Sequence, residues 1–131
     1  MRVFLDANII FSSADPESAT RFLLNILCKH ATAVTSRYAW EEAKRNIELK
    51  RPLLLRHLAS LEPLIEFTAK MTDLQEFDLP DDDKPIVRGA IASECSHLWT
   101  SDQKHFGVFY GKRIGHTKIV SSIMLADELK A

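Results

Sequence analysis

The sequence predicts an α/β fold, a sandwich built on a mostly parallel sheet, in a single domain spanning residues 1–131. Three observations carry this prediction. Short apolar or β-prone runs alternate with longer stretches of helical period, as in sheets whose parallel strands are joined by crossover helices. Two of the runs end in an aspartate, Asp6 and Asp102, and in such sheets ligands bind beyond the carboxyl ends of the strands. No repeat, low-complexity segment or linker divides the chain, and its length suits one core.

Each element has its own signal. "VFLDANIIFSS", residues 3–13, opens on a short apolar run that reads as a covered strand stopped by Asp6. "SSADPESAT" is a turn into a first helix, with Pro16 and Glu17 suiting its first turn and Phe22, Leu23, Ile26 and Leu27 at helical spacing. "ATAVTS" is a second strand. From Ser36 the helical period returns through Tyr38, Ala39, Ala43 and Ile47, and "RPLLLRHLASLEPLI" continues it until Pro63 ends or bends it. "LIEFT" is a short strand. "LPDDDKPIVRGAIASEC" enters a helix through capping aspartates and a first-turn proline. "HLWTSD" and "TKIVSS" are further strands, and "SSIMLADEL" is a closing helix.

Composition narrows the function classes. A net charge of −1 gives no global basic signal for nucleic acid, which argues against a histone-like binder. It leaves room for a nuclease, whose metal supplies local positive charge. Cys28 and Cys95 are far apart without metal-site spacing, so they read as buried free thiols in a reducing cytoplasm. No leader is expected, because the apolar start is short and interrupted by Asp6. No run approaches membrane-spanning length.

The chemistry concentrates in acids at element boundaries. Asp6 ends the first strand, Glu42 lies in the helix after the second, Asp83 opens the helix "DKPIVRGAIA", and Asp102 closes "HLWTS". Crowded carboxylates repel unless protonated or bridged by a cation, and hard ions such as Mg²⁺ or Mn²⁺ prefer oxygen ligands. Such a site activates water and stabilises charge on a phosphodiester. Taken singly, Asp83 is a helix cap, Glu42 beside Glu41 an exposed helix residue, and Asp102 a turn residue. Asp6 is harder to dismiss, since an acid after Val-Phe-Leu has little evident capping work. Asn8 can orient Asp6 or hold a water, and Ser36, Thr100 and Ser101 can donate to the acids or a phosphate, against a background of local turn bonding. His105 is read as structural or exposed sooner than as a substrate contact.

With these residues in these places, the chain resembles the PIN-domain nucleases over nearly its whole length. The matching pieces are "VFLDANIIFS", "VTSRYAWEEAKRNI", "DDDKPIVRGAIASECSHLWTSDQKHFG" and "TKIVSSIMLADEL". The third is the most specific: Asp83, isoleucine three residues on, alanine seven on, and Thr-x-Asp ending nineteen residues beyond the acid, followed by His-Phe. Ser36 with an acid six residues on favours Glu42 over Glu41, and the spacing to Ile86 and Ala90 favours Asp83 over Asp81 and Asp82. Ser101 stands where the family commonly has glycine.

The resemblance implies a three-layer α/β/α scaffold and a metal-dependent ribonuclease acting on single-stranded RNA. It implies that Asp6, Glu42, Asp83 and Asp102 bind Mg²⁺ or Mn²⁺, supported by Thr100 and Asn8. Small stand-alone members are similar to the toxins of VapBC-type pairs, which implies a small antitoxin partner and a homodimer. Arg37, Lys44, Arg45 and Arg88 are candidate RNA contacts or ordinary surface charge. The alternatives are a non-toxin RNA-processing nuclease and a non-catalytic PIN-like interaction module. A haloacid-dehalogenase-type phosphatase would need an acid at Asn8, which cannot donate the proton.

Overall fold

The computed structural model describes residues 1–68 and 84–130. Its strands are β1 (Arg2–Leu5), β2 (Thr32–Ser36), β3 (Ile65–Thr68), β4 (His97–Trp99), β5 (Arg113–Ile114) and β6 (Thr117–Val120), joined in one sheet of order β3-β2-β1-β4-β6-β5. Every pairing is parallel except β5 with β6 at the edge. The helices are α1 (Ala7–Ser13), α2 (Ala19–His30), α3 (Arg37–Lys50), α4 (Leu55–Leu58), α5 (Lys84–Ala92), α6 (Gln103–Phe106) and α7 (Ser122–Lys130). Val3, Phe4 and Leu5 are successive residues of β1 and are all fully buried. Side chains alternate across a strand, so both faces of the sheet are covered, as the three-layer α/β/α architecture requires.

The strand order places the site. From β1 the chain moves outward to β2 and β3, then crosses back to β4 on the other flank. The direction of winding therefore reverses between β1 and β4, and a crevice opens beyond their carboxyl ends. The register of these two strands pairs Leu5 with Trp99, so Asp6 and Thr100 emerge side by side.

Several local expectations change. The chain enters α1 directly after Asp6, before the turn in which the first helix was expected. Ile9, Ile10 and Ser13 are buried on its inner side, a helical spacing that the unbroken run Ile9-Ile10-Phe11 disguises as strand. α2 starts at Ala19 under a Ser18 cap, leaving Pro16 and Glu17 in the turn before it. Leu24 and Leu27 carry its buried face, whereas Phe22 is 69% exposed.

Residues 52–64 form a 3₁₀ turn, the single turn α4, and a second 3₁₀ segment containing Pro63 rather than one continuous helix. Proline cannot donate to the i→i−4 ladder. β5 and α6 were not anticipated, being too short to show a period. Both cysteines are free; Cys95 is buried and Cys28 half-buried, and burial pushes both thiols up from their ordinary pKa. The expected cap at Asp83 lies outside the described residues.

Candidate active site

Asp6 caps α1 with only 4% of its surface exposed. One carboxylate oxygen accepts from the Ala7 amide at 2.7 Å; the other accepts from Thr100 Oγ1 at 2.7 Å and Asn8 Nδ2 at 3.2 Å. The expectation that this acid has little capping work is therefore corrected. Its buried charge is met by the helix amino terminus and side-chain dipoles. Those donors also lock its rotamer.

Thr100 is fully buried and uses its hydroxyl completely. It donates to Asp6 and accepts from the Asp102 amide at 3.1 Å and Asn8 Nδ2 at 3.3 Å, which is one donor and two acceptors spent. Asn8 closes the ring: its Oδ1 accepts from the Ser101 amide at 3.0 Å. Thus Ser101 contributes through its backbone. Ser36 ends β2 and caps α3, accepting from the Ala39 amide at 3.2 Å. Its role is to start the helix that carries Glu42.

Asp102 caps α6. Its Oδ1 accepts from the His105 amide at 3.1 Å, and its Oδ2 lies 2.8 Å from His105 Nδ1. His105 thus braces one acid. Asp6, Glu42 and Asp102, from three separate parts of the chain, line one cleft of about 170 Å³ together with Asn8. Glu42 is half-buried there while Glu41 is exposed, which distinguishes the two neighbours. Asp83 lies outside the described residues, as do Asp81 and Asp82.

Sharing a cleft is not the same as sharing a ligand point. Among the described residues, no group of three or more His, Cys, Asp or Glu side chains is close enough to hold a metal ion. The donor set nevertheless suits a hard divalent cation, since it is rich in carboxylate and amide oxygen. Mg²⁺ is commonly held by one or two carboxylates and keeps several waters, so it does not require three acids closing on one point.

Comparison with solved structures places this geometry in a known scaffold. The chain superposes on a chain of the crystal structure of VapBC2 from Rickettsia felis bound to a DNA fragment from their promoter, with TM-score 0.68 and 20% identity. The match covers 92% of this chain and 98% of that one. The fold is a VapC-like PIN fold. No protein-family model and no curated protein matches the chain.

On the PIN-like scaffold the cleft has lining that sequence reading missed. Phe11, Asn46 and Lys50 continue it. The signal was present: Asn46 and Lys50 lie four and eight residues after Glu42 on α3, one stripe of a helix. Tyr110 was missed too. Its hydroxyl donates to the Thr100 carbonyl at 3.0 Å, and burial, reinforced by the charges of Asp102 and Asp6, pushes its phenol up.

Of the expected basic contacts, Arg37 lies over the Phe67 ring with 4.1 Å to the centroid, and Arg45 sits beside Glu48 and Leu49 in a separate hollow. Neither they nor Lys44 and Arg88 line the acid cleft, whose described cation is Lys50. Among the described residues no helix is long and apolar enough to cross a membrane.

Proposed function

We propose that this chain is a Mg²⁺- or Mn²⁺-dependent endoribonuclease that hydrolyses phosphodiester bonds of single-stranded RNA, and the toxin of a toxin–antitoxin pair. The observation that carries the proposal is the convergence of Asp6, Glu42 and Asp102 on one cleft at the carboxyl ends of β1 and β4. The toxin reading rests on the VapC-like fold. The solved neighbour is a VapBC2 assembly, so a small antitoxin protein is the proposed partner here, with a homodimer as the proposed assembly.

Asp6, Glu42 and Asp102 would hold the cation, joined by Asp83. When bound, it supplies Lewis-acid stabilisation of phosphate charge and a more acidic water. The protein's part is preorganisation. Thr100, Asn8 and the Ala7 amide fix Asp6 before substrate arrives, so little reorganisation accompanies the reaction. Asn8 ties the end of β1 to the loop after β4 through Ser101, holding the two acid-bearing corners together, and His105 steadies Asp102.

A second reading has one observation in its favour. Asp6 and Asp102 already cap helices and accept internal hydrogen bonds, which is work a non-catalytic PIN-like interaction module would also need. Incubating the purified protein with single-stranded RNA and Mn²⁺ separates the two. The nuclease cuts and is stopped by EDTA; RNA left whole across metals and substrates favours the interaction module.

A further inference from the structure

We propose that Phe11, Asn46 and Lys50 form a nucleotide subsite beside the acids, with Phe11 stacking a base, Asn46 reading its edge and Lys50 holding the adjoining phosphate. This rests on the RNA-nuclease reading above. Glu42, Asn46 and Lys50 occupy one stripe of α3, and Asn8 and Phe11, three apart, occupy the facing side of α1. At about 1.5 Å of rise per residue, the backbone positions of Glu42 and Lys50 stand roughly 12 Å apart along the helix axis. Acidic chemistry therefore lies at one end of the cleft and a cation with an aromatic ring at the other.

The three side chains are available for a ligand. Phe11 packs partly against the core yet lines an open cleft. Lys50 Nζ stands over its ring with 6.0 Å to the centroid, at the outer edge of cation–π contact. Among the described residues Lys50 makes no ion pair, and the Asn46 amide has no hydrogen bond to another side chain or backbone. An aromatic face, a long-stemmed cation and an amide with both donor and acceptor capacity are what single-strand recognition uses. A core-filling role explains the packing of Phe11 against the core, but not its place in one cleft with an amide that has no hydrogen bond and an ammonium that has no ion pair among the described residues.

The test measures cleavage in Mn²⁺ of a single-stranded oligoribonucleotide and of copies carrying one abasic residue at each position flanking the cut. Anisotropy with the labelled oligonucleotide in Ca²⁺ measures binding separately. At one flanking position, base removal is expected to raise KM on the order of tenfold for wild type with kcat little changed. Phe11→Leu raises KM similarly on intact RNA and shows no further loss on the abasic copy. Lys50→Gln lowers the salt dependence of binding by about one phosphate contact, and Asn46→Ala flattens the preference among the four bases at that position.

Lys50 is exposed and Asn46 half-exposed, so those variants test the subsite even if Phe11→Leu folds poorly. Wild type that cuts RNA while all three variants match it overturns the subsite alone. RNA neither cut nor bound by wild type overturns the subsite and the nuclease reading together.

Discussion

At the scale of single residues, one hydroxyl, that of Thr100, ties together the two corners that carry Asp6 and Asp102. Its hydroxyl is shared by Asp6, Asn8 and the Asp102 amide. Thr100→Val keeps the shape and removes the hydroxyl, leaving buried polar groups short of partners. The expected cost is about 1–3 kcal/mol, read as a lower urea midpoint, together with loss of cleavage; Thr100→Ser should restore both. Equal stability of the valine variant would remove the shared bond from the account. Asp6→Asn is predicted to abolish cleavage while preserving the fold, because asparagine caps helices about as well as aspartate. The new amide NH2 would then face two donors, the Thr100 hydroxyl and the Asn8 amide, at a cost of about 1–3 kcal/mol. Circular dichroism beside the RNA assay checks both halves. Retained cleavage in Asp6→Asn would take Asp6 out of the chemistry.

At the scale of elements, Gly89 sets how closely α5 approaches β1. A Cβ built there would lie 3.1 Å from two atoms of the Phe4 ring, and Phe4 is fully buried in a central strand. The helical preference for alanine gains up to about 1 kcal/mol, while overpacking costs roughly 1–3 kcal/mol. Gly89→Ala is therefore expected to destabilise by about 1 kcal/mol; a stabilised variant would show that the ring yields freely.

The opposite end of the sheet has its own tie. His97 Nε2 lies 2.9 Å from Glu128 on α7, with Lys118 Nζ 3.5 Å from the other carboxylate oxygen. Burial pushes the Glu128 carboxyl up, but the His97 hydrogen bond and charge, with Lys118, outweigh it and hold the pKa below the usual glutamate range. A depressed folded pKa means stability that is present above the unfolded value and lost as pH falls through the folded one. Wild type should lose this contribution on acidification below about pH 4.5. Glu128→Gln should lack that component and be less stable near neutrality by about 1 kcal/mol. Parallel urea titrations at pH 7 and pH 3.5 measure the difference.

The same scale explains what the sequence made legible. The covered strand Val3–Leu5, the α3 stripe Ala39, Ala43 and Ile47, and the acids at strand ends all carry strong periods or unusual placement. α1 did not, because Asp6 serves strand end, helix cap and site at once, and three consecutive apolar residues mask its helical period. Residues 52–64 carried helical spacing that Pro52 and Pro63 divert into 3₁₀ turns. Asn46 and Lys50 continue the Glu42 stripe of α3, but Phe11 joins them only where α1 and α3 lie face to face, since no local pattern brings residues on different helices together. Tyr110 likewise reaches Thr100 across a loop whose path no spacing rule gives.

At the scale of the whole molecule, a net charge of −1 means that, for the nuclease proposed above, RNA attraction would have to come from local features: a cation at the acids and Lys50 at the cleft's far end. Binding should therefore depend weakly on salt compared with basic nucleic-acid proteins, with few phosphate contacts in the slope. A cation bound by the folded chain alone would also stabilise the fold. At free Mn²⁺ a hundredfold above its Kd, linkage adds about 2.7 kcal/mol, or a Tm rise on the order of 10 °C for a chain of this size.

The most direct measurement is calorimetric titration of Mn²⁺ into the wild-type protein and into Asp6→Asn, Glu42→Gln and Asp102→Asn. Saturable binding by wild type, weakened at least about tenfold in each variant, is the result predicted. Absent binding, or affinity that none of the three substitutions changes, would contradict the assignment of this cleft as the seat of metal-dependent chemistry.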